Sequence, residues 1–186
     1  MHRRALLAAL TVPVALGGCL RPDYRTAYLD ADPPSAYMLA SGDKLRVIVF
    51  GQDTLSNIYA VDGSGRIAMP LIGTVPIAGM GTAQAERLIE SKLRDGYVRE
   101  PKVTVEIDAY RPFFVLGEVV TSGQFPFVNG MTVQTAIAIA GGFGPRAARD
   151  YAEVTRRTPR GMIGGIVPLT YPLRPGDTVM IKERWF

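Results

Sequence analysis

The stretch Ser41-Gly42-Asp43-Lys44-Leu45-Arg46-Val47-Ile48-Val49-Phe50 decides how the chain begins to fold. Ser-Gly-Asp is a turn signal, and the β-branched and apolar residues that follow it predict a strand. A second pair, Gly176-Asp177, leads into the apolar stretch 178–182 near the other end of the chain. Because Gly-Asp is a common turn dipeptide, the occurrence of a second Gly-Asp pair before an apolar stretch is also compatible with coincidence. We expect Gly42, Asp43, Gly176 and Asp177 to form structural turns that start strands.

Outward from this first strand, the sequence predicts further strands. Val103, Val105 and Ile107 alternate with polar residues, as in a strand with one buried face. Other strands are predicted at 66–70, 74–77 and 151–157, and a loop is predicted at 158–165.

Two helices are predicted, with Thr82 and Thr132 as their caps. In the first helix, Glu90 and Arg94 are four residues apart and are expected on the solvent side. The helices are few and do not alternate regularly with the strands. We therefore expect an α+β fold, made of two small β-rich domains with about one main helix each.

Histidine and cysteine each occur once, as His2 and Cys19. An intramolecular disulfide, a Cys/His metal site and a catalytic Ser-His-Asp or Cys-His arrangement are therefore excluded. We expect no metal and no cofactor. The formal charge of +4 falls to +2 without residues 1–18, so we also expect no nucleic-acid partner.

The N-terminal segment has the layout of a secretion signal. A basic start, Met1-His2-Arg3-Arg4, precedes an apolar stretch at 5–16 that is short for a membrane-spanning helix. Leu16-Gly17-Gly18-Cys19 then resembles the lipobox of bacterial lipoproteins, whose cysteine thiol accepts a diacylglyceryl group. We expect a lipoprotein signal peptide at 1–18, lipidation of Cys19 and an extended tether at 19–36. The alternative is an ordinary signal peptide with a cysteine at this position by chance.

Between residues 37 and 184 the chain carries a long ordered series of short motifs. Those of the first half are Tyr37-Met38-Leu39, Ser41-Gly42-Asp43-Lys44-Leu45, Val49-Phe50-Gly51, Val61-Asp62-Gly63-Ser64-Gly65-Arg66-Ile67, Met69-Pro70-Leu71-Ile72-Gly73, Ala78-Gly79 with 82–93, and 97–105. Those of the second half are Val115-Leu116-Gly117-Glu118-Val119, Gly123, Thr132-Val133, Ala140-Gly141-Gly142 and Pro175-Gly176-Asp177. In this order they resemble the bacterial polysaccharide export proteins of the outer-membrane auxiliary type. The resemblance implies a polysaccharide export domain at 37–110 and a soluble ligand-binding β-grasp (SLBB) domain at 111–186.

The resemblance also implies a function in transport, with no covalent chemistry. It implies a lipid-anchored component of a channel that exports capsule or exopolysaccharide. The implied assembly is a homo-oligomeric ring at the outer membrane, with the domains facing the periplasm. The implied partners are an inner-membrane polysaccharide copolymerase and the transported polysaccharide itself. The alternative is a monomeric periplasmic lipoprotein module that binds glycan or regulates the copolymerase.

The sequence departs from the longer members of this family at its C-terminus. Those members carry further β-grasp domains and a C-terminal amphipathic helix, whereas this sequence stops at Trp185-Phe186. We therefore expect a short form without the membrane helix, which works with a separate outer-membrane pore protein. Trp185-Phe186 is expected to pack against protein, the alternative being insertion into the membrane interface.

Two groups of side chains are candidates for contact with polysaccharide. The aromatic residues Tyr110, Phe113 and Phe114 are suited to stack on sugar rings or to form a constriction. The alternative for them is packing in the core or between subunits. The basic residues Arg156, Arg157 and Arg160 surround the predicted hairpin loop and suit an acidic polymer, the alternative being a solvated loop.

Two further patterns resemble nucleotide or catalytic sites. Gly142-Phe143-Gly144-Pro145-Arg146-Ala147 fits G-x-G-x-x-A, but it follows the end of a predicted helix instead of opening one. Asp43 and Asp177 resemble a pair of catalytic carboxylates, but each lies in a predicted turn. We assign both patterns to structure, predict no catalytic residue and expect that the protein is not an enzyme.

Overall fold

The computed structural model describes residues 37–158 and 161–184. The predicted signal peptide, Cys19, the tether, Arg160 and Trp185-Phe186 lie outside these residues. The elements are β1 Lys44–Val49, β2 Asn57–Ala60, β3 Arg66–Met69, β4 Gly73–Pro76, α1 Thr82–Arg94, β5 Val103–Ala109, β6 Phe113–Gly117, β7 Gly123–Phe125, α2 Val133–Ile139, β8 Tyr151–Thr158, β9 Gly161–Pro168 and β10 Thr178–Ile181. The α+β fold with two β-rich regions is confirmed.

The first β-rich region is built around β1. This strand pairs antiparallel with β2 on one side and with β5 on the other. Leu45, Val47 and Val49 point inward and are buried, while the residues between them are exposed. Strands β3 and β4 form a separate antiparallel hairpin. The buried core that these elements share with α1 comprises Leu39, Leu45, Val47, Val49, Leu55, Tyr59, Val61, Ile67, Met69, Val75, Ile77, Ala85, Ile89, Leu93, Val103 and Val105.

Helix α1 begins at Thr82, with Gly81 as its N-cap. The Gly81 N–H donates to Oε1 of Gln84 at 3.0 Å, so the prediction of Thr82 as the cap is wrong by one residue. Arg94 is exposed as predicted, whereas Glu90 is half-buried and turns toward the sheet. Its Oε1 atom accepts from the Val103 N–H at 3.0 Å, because an edge strand leaves N–H groups without strand partners.

The second β-rich region is a mixed sheet with the strand order β7-β6-β10-β8-β9. The central pair β6 and β10 is parallel, and the other neighbours are antiparallel. Helix α2 starts after Thr132 as predicted, because Oγ1 of Thr132 accepts from the Thr135 N–H at 3.4 Å. The core of this region comprises Phe113, Val115, Phe127, Met131, Val133, Ala136, Ile137, Ala140, Ala147, Ala152, Val154, Val167, Tyr171, Leu173, Val179 and Ile181.

Strand β9 occupies residues for which a loop was predicted at 158–165. The glycines at 161, 164 and 165 lower the strand propensity of this segment. Continuous pairing with β8, from Tyr151 opposite Pro168 to Thr158 opposite Gly161, overrides that local preference. The prediction of a loop is therefore wrong for residues 158 and 161–165, which belong to β8 and β9.

The buried apolar residues fall into two separate clusters, one in each β-rich region. A boundary between domains at residues 110–111 stays a prediction. Among the residues that the structure describes, no helix combines the length and the apolar character needed to cross a membrane.

Candidate functional site

Asp43 is the buried centre of a hydrogen-bonded cluster where the two regions meet. Its carboxylate accepts from the Tyr37 hydroxyl at 2.7–2.8 Å and from the Ala40 N–H at 2.8 Å. It also accepts from the backbone N–H of Arg111 at 2.9 Å, and Nη1 of Arg111 lies 3.5 Å from Oδ2. Burial and the hydrogen bond to Asp43 raise the pKa of Tyr37 well above its ordinary value. The tyrosine therefore remains a neutral donor to the carboxylate.

Asp177 is the centre of a second buried cluster, inside the mixed sheet. Arg156 binds it at two points, with Nε 2.8 Å from Oδ1 and Nη2 2.7 Å from Oδ2. The Arg174 N–H donates to Oδ2 at 2.8 Å, and Nη1 of Arg156 donates to the Tyr171 hydroxyl at 3.3 Å. Burial by itself lowers the pKa of Arg156, but the hydrogen bond and the charge of Asp177 raise it overall.

The two clusters share one local design, which follows the pattern Tyr-x-Leu-x-x-Gly-Asp at 37–43 and 171–177. In both, the aspartate accepts from the backbone N–H three residues before it. In both, an arginine guanidinium lies over the tyrosine ring, 5.7 Å from the ring centre in the first cluster and 5.6 Å in the second. The two Gly-Asp pairs were only part of this repeat. The tyrosine six residues before each aspartate was the signal that sequence reasoning missed.

Arg111 contacts both Gly-Asp turns. A Cβ atom built on Gly42 would lie 3.2 Å from Cβ of Arg111, and one built on Gly176 would lie 2.9 Å from its Nε. The Gly176 N–H also donates to the carbonyl of Pro112 at 3.1 Å. The structure thus brings the two turns, which are far apart in sequence, against the single link between the β-rich regions.

This arrangement is suited to structural support. Both aspartates are fully buried, and each has its own arginine and a set of hydrogen-bond donors. Both turn glycines, Gly42 and Gly176, have positive φ angles of 93° and 86°, which side chains with a Cβ rarely adopt. A pair of exposed carboxylates suited to proton transfer is not formed by these two residues.

The three predicted aromatic residues do not share one surface. Tyr110 packs edge-on against Tyr37, with ring centres 5.0 Å apart, and against Phe127 at 5.6 Å. Phe113 is fully buried in the core, whereas Phe114 is 38% exposed on the opposite face of β6. Because consecutive residues of a strand face opposite sides, only Phe114 of this adjacent pair is open to a ligand.

The predicted basic group is divided in the same way. Arg156 lies within β8 and is buried against Asp177, so it does not belong to a solvated loop. Arg157 is the next residue along β8 and is exposed. Arg160 lies outside the described residues. Because Arg156 is buried, it is not available for contact with a polymer. Arg157 is exposed and accessible.

The G-x-G-x-x-A segment follows α2, which ends at Ile139. The Gly142 N–H donates back to the carbonyl of Ile137 at 2.9 Å, as in a helix C-terminus that ends in a left-handed turn. The glycines therefore close a helix, whereas dinucleotide binding requires them to open one.

An open groove of about 500 Å³ lies on the mixed sheet, at one end of β8 and β10. It is lined by Tyr151, Glu153, Ile166, Lys182 and Glu183. Nζ of Lys182 lies 2.8 Å from Oε2 of Glu153 within it. An aromatic ring beside paired polar groups is a lining suited to sugars, which present apolar ring faces and hydroxyls together.

Comparison with known proteins assigns a family to each β-rich region. The sequence model described as polysaccharide biosynthesis/export protein matches residues 31–108, and that of the SLBB domain matches residues 112–167. The exopolysaccharide production protein ExoF of Rhizobium meliloti (strain 1021) is 34% identical over 136 residues, which are 64% of this chain and 32% of that protein. The polysialic acid transport protein KpsD of Escherichia coli is 29% identical over 159 residues, which are 80% of this chain and 28% of that protein.

The chain thus spans about a third of the length of these curated relatives. The two matched models meet at residues 108–112, where Arg111 contacts both turns. On these matches, taken with the α+β fold, the chain belongs to the polysaccharide biosynthesis/export protein family and carries an SLBB domain after its export domain.

Proposed function

We propose that this chain is a lipid-anchored component of a channel that exports capsule or exopolysaccharide. The observation that carries the proposal is the ordered match of an export domain and an SLBB domain along one chain. The names of the two relatives support it, because one concerns exopolysaccharide production and the other polysialic acid transport.

The contribution that we propose is mechanical and not catalytic. A passage for a polymer requires subunits whose domains keep a fixed relation to each other. The contacts of Arg111 with Asp43 and with the Gly176 turn support such a fixed relation. Asp43 is occupied by its contacts with Tyr37 and Arg111, and Asp177 by its contacts with Arg156.

We propose that copies of the chain form a homo-oligomeric ring at the outer membrane. Exposed apolar residues at β1 and β2 support contact with another chain, since Ile48 and Ile58 are exposed and Phe50 is 79% exposed. The partners that we propose are an inner-membrane polysaccharide copolymerase and a separate outer-membrane pore protein. Phe114 and Arg157 are the candidate polymer contacts that remain accessible.

We propose that the lipid on Cys19 anchors this assembly, with the domains facing the periplasm. Each buried CH2 group of an acyl chain contributes about 0.8 kcal/mol, so two or three chains anchor a protein durably where one does not. Cys19 lies outside the described residues, and its sequence context supports this part of the proposal.

A second candidate function is that of a monomeric periplasmic module that binds glycan or regulates the copolymerase. The groove at Tyr151 favours it, because a binding module needs a ligand site and no ring. The mass of the purified particle in detergent separates the two functions. A ring requires a large homo-oligomer, and the module requires a monomer.

Deletion of the gene tests the proposed export function directly. We expect surface polysaccharide to be lost while the cells still make its precursors, and we expect the wild-type gene to restore secretion. Normal surface polysaccharide in the deletion strain would rule the proposal out. A strain that stops making precursors would also contradict it, because synthesis would then depend on this chain.

A further inference from the structure

Strand β9 has a free edge that nothing in the described part of the chain covers. It is the last strand of the mixed sheet, and its whole length, Gly161–Pro168, pairs with β8 on one side. In an antiparallel pair every second residue points its N–H and C=O away from the partner, so these groups of β9 face outward. Met162, Ile163 and Ile166 are 60%, 40% and 44% exposed. The segment contains no charged residue.

The other strand edges differ from β9 in ways that limit pairing. On β5, the N–H groups of Val103 and Val105 donate to the carboxylates of Glu90 and Glu86, each at 3.0 Å. Strand β7 has three residues, and β2, β3 and β4 have four each. Natural proteins protect free edges with charges, prolines, bulges or short length. The edge of β9 has eight residues and carries a proline only at its end.

We propose that β9 pairs edge to edge with β9 of a second copy of this chain, in antiparallel orientation. Strand β9 is complementary to a second copy of itself. The two paired segments have the same length, and neither carries a charge that would repel the other. An antiparallel pair of identical strands is related by a twofold axis. The axis passes midway between the two copies of Gly164, near the middle of each strand, so that Gly164 of one chain lies directly opposite Gly164 of the other.

This register joins apolar side chains across the contact. With Gly164 on the axis, Met162 lies opposite Ile166 of the partner subunit, on the same face of the enlarged sheet. Gly164 itself adds no side chain to this face, so the apolar contact is made by Met162 and Ile166 on either side of it. The contact is isologous, whereas a ring needs a heterologous contact, so the pairing does not depend on the proposed export ring.

Disulfide trapping tests the register. The full chain carries Gly164→Cys in a Cys19→Ser background, which leaves one thiol per chain. A Cβ atom at Gly164 makes only ordinary contacts, the nearest at 3.4 Å, so the variant is expected to fold. We expect mild oxidation to convert most of the protein to a covalent dimer. The matched control is Val128→Cys in the same background, at a residue that is 62% exposed and lies outside β9. Cross-linking of Gly164→Cys that is no higher than that of the control overturns the proposal.

Particle mass provides a second measurement. Ile163→Lys with Ile166→Lys places two charges on the edge, and we expect it to halve the mass measured by light scattering. The control pair Val120→Lys with Val128→Lys should leave the mass unchanged, since those residues are exposed in the same β-rich region. Halving to a species larger than a monomer supports both this pairing and a ring. Halving to a monomer supports the pairing alone, and an unchanged mass contradicts the pairing whatever becomes of the ring.

Discussion

Arg156 and Asp177 form a two-point ion pair in which both side chains are buried, with nitrogen–oxygen distances of 2.8 and 2.7 Å. The two residues are held by β8 and by the turn before β10, so the pair ties neighbouring parts of the mixed sheet together. Substitution of either partner would leave the charge of the other buried in the core without a counter-ion.

Arg156→Met should destabilise the protein by about 3–5 kcal/mol, because it leaves the Asp177 carboxylate buried without its cation. Urea denaturation measures the free energy of unfolding. Arg157→Met is the matched control. Because Arg157 is exposed, its substitution should change the free energy of unfolding by less than about 0.5 kcal/mol. The double variant Arg156→Met with Asp177→Asn should regain part of the loss. Equal losses of unfolding free energy in Arg156→Met and Arg157→Met would show that the buried pair contributes no more to stability than an exposed arginine does.

Arg111→Ala should cost less than Arg156→Met, about 1 kcal/mol. Asp43 would still accept from Tyr37, from the Ala40 N–H and from the backbone N–H at position 111. The Arg111 side chain is also 26% exposed, so water screens part of its charge. The same denaturation measurement applies, with Arg99→Ala as an exposed control. A loss as large as that of Arg156→Met would mean that the guanidinium, and not the backbone, holds Asp43.

Gly176→Ala should destabilise the protein more than Gly51→Ala. Both glycines have positive φ, which costs about 1–2 kcal/mol for alanine. At Gly51 the added Cβ meets nothing within 4 Å, whereas at Gly176 it meets Nε of Arg111 at 2.9 Å. A double-mutant cycle with Arg111→Ala isolates this contact. The excess cost at Gly176 should disappear in the Arg111→Ala background, and its persistence there would refute the contact between Arg111 and the second turn.

Tyr37→Phe should weaken the loss of stability at alkaline pH. Burial and the bond to Asp43 raise the pKa of Tyr37 above its ordinary value of 10.0, so the folded state holds the proton more tightly than the unfolded chain. This contribution is complete below about pH 10 and is lost as the pH rises above the pKa of the unfolded tyrosine. Urea denaturation at pH 9 and pH 11 should show a smaller decrease in the free energy of unfolding for the variant than for the wild type. An equal decrease in both proteins would assign the alkaline loss to other groups.

Cys19→Ser should release the protein from the membrane fraction without unfolding its domains, because the acyl chains would no longer be attached. Cell fractionation followed by immunoblotting measures the distribution, and circular dichroism of the released protein checks the fold. A variant that still fractionates fully with the outer membrane would show that a protein partner, and not the lipid, holds it there.

Local pattern was sufficient for much of the fold. The alternation of Val103, Val105 and Ile107 predicted β5, and the hydroxyl of Thr132 predicted the start of α2. These features depend on a few neighbouring residues, and strand alternation and helix capping act over that range. The repeated Tyr-x-Leu-x-x-Gly-Asp pattern was equally present in the sequence. It predicts two like turns, although the arginine partners Arg111 and Arg156 lie at unrelated distances along the chain.

Other features depended on contacts between distant segments. Strand β9 forms because β8 pairs with it along its whole length, against the preference of its glycines. Glu90 turns toward the sheet because the edge of β5 offers it an unpaired N–H.

What the sequence by itself determined is the α+β class, most strand positions and the family, since alternation, turn dipeptides and ordered motifs are local properties. What only the tertiary structure decided is which charges are buried together. Arg156 and Arg157 are adjacent in sequence, yet β8 turns one toward Asp177 and the other toward solvent. The two Gly-Asp turns are far apart in sequence, yet both lie against Arg111. Strand pleat and chain packing decide these relations, because they bring together groups between which no local pattern exists.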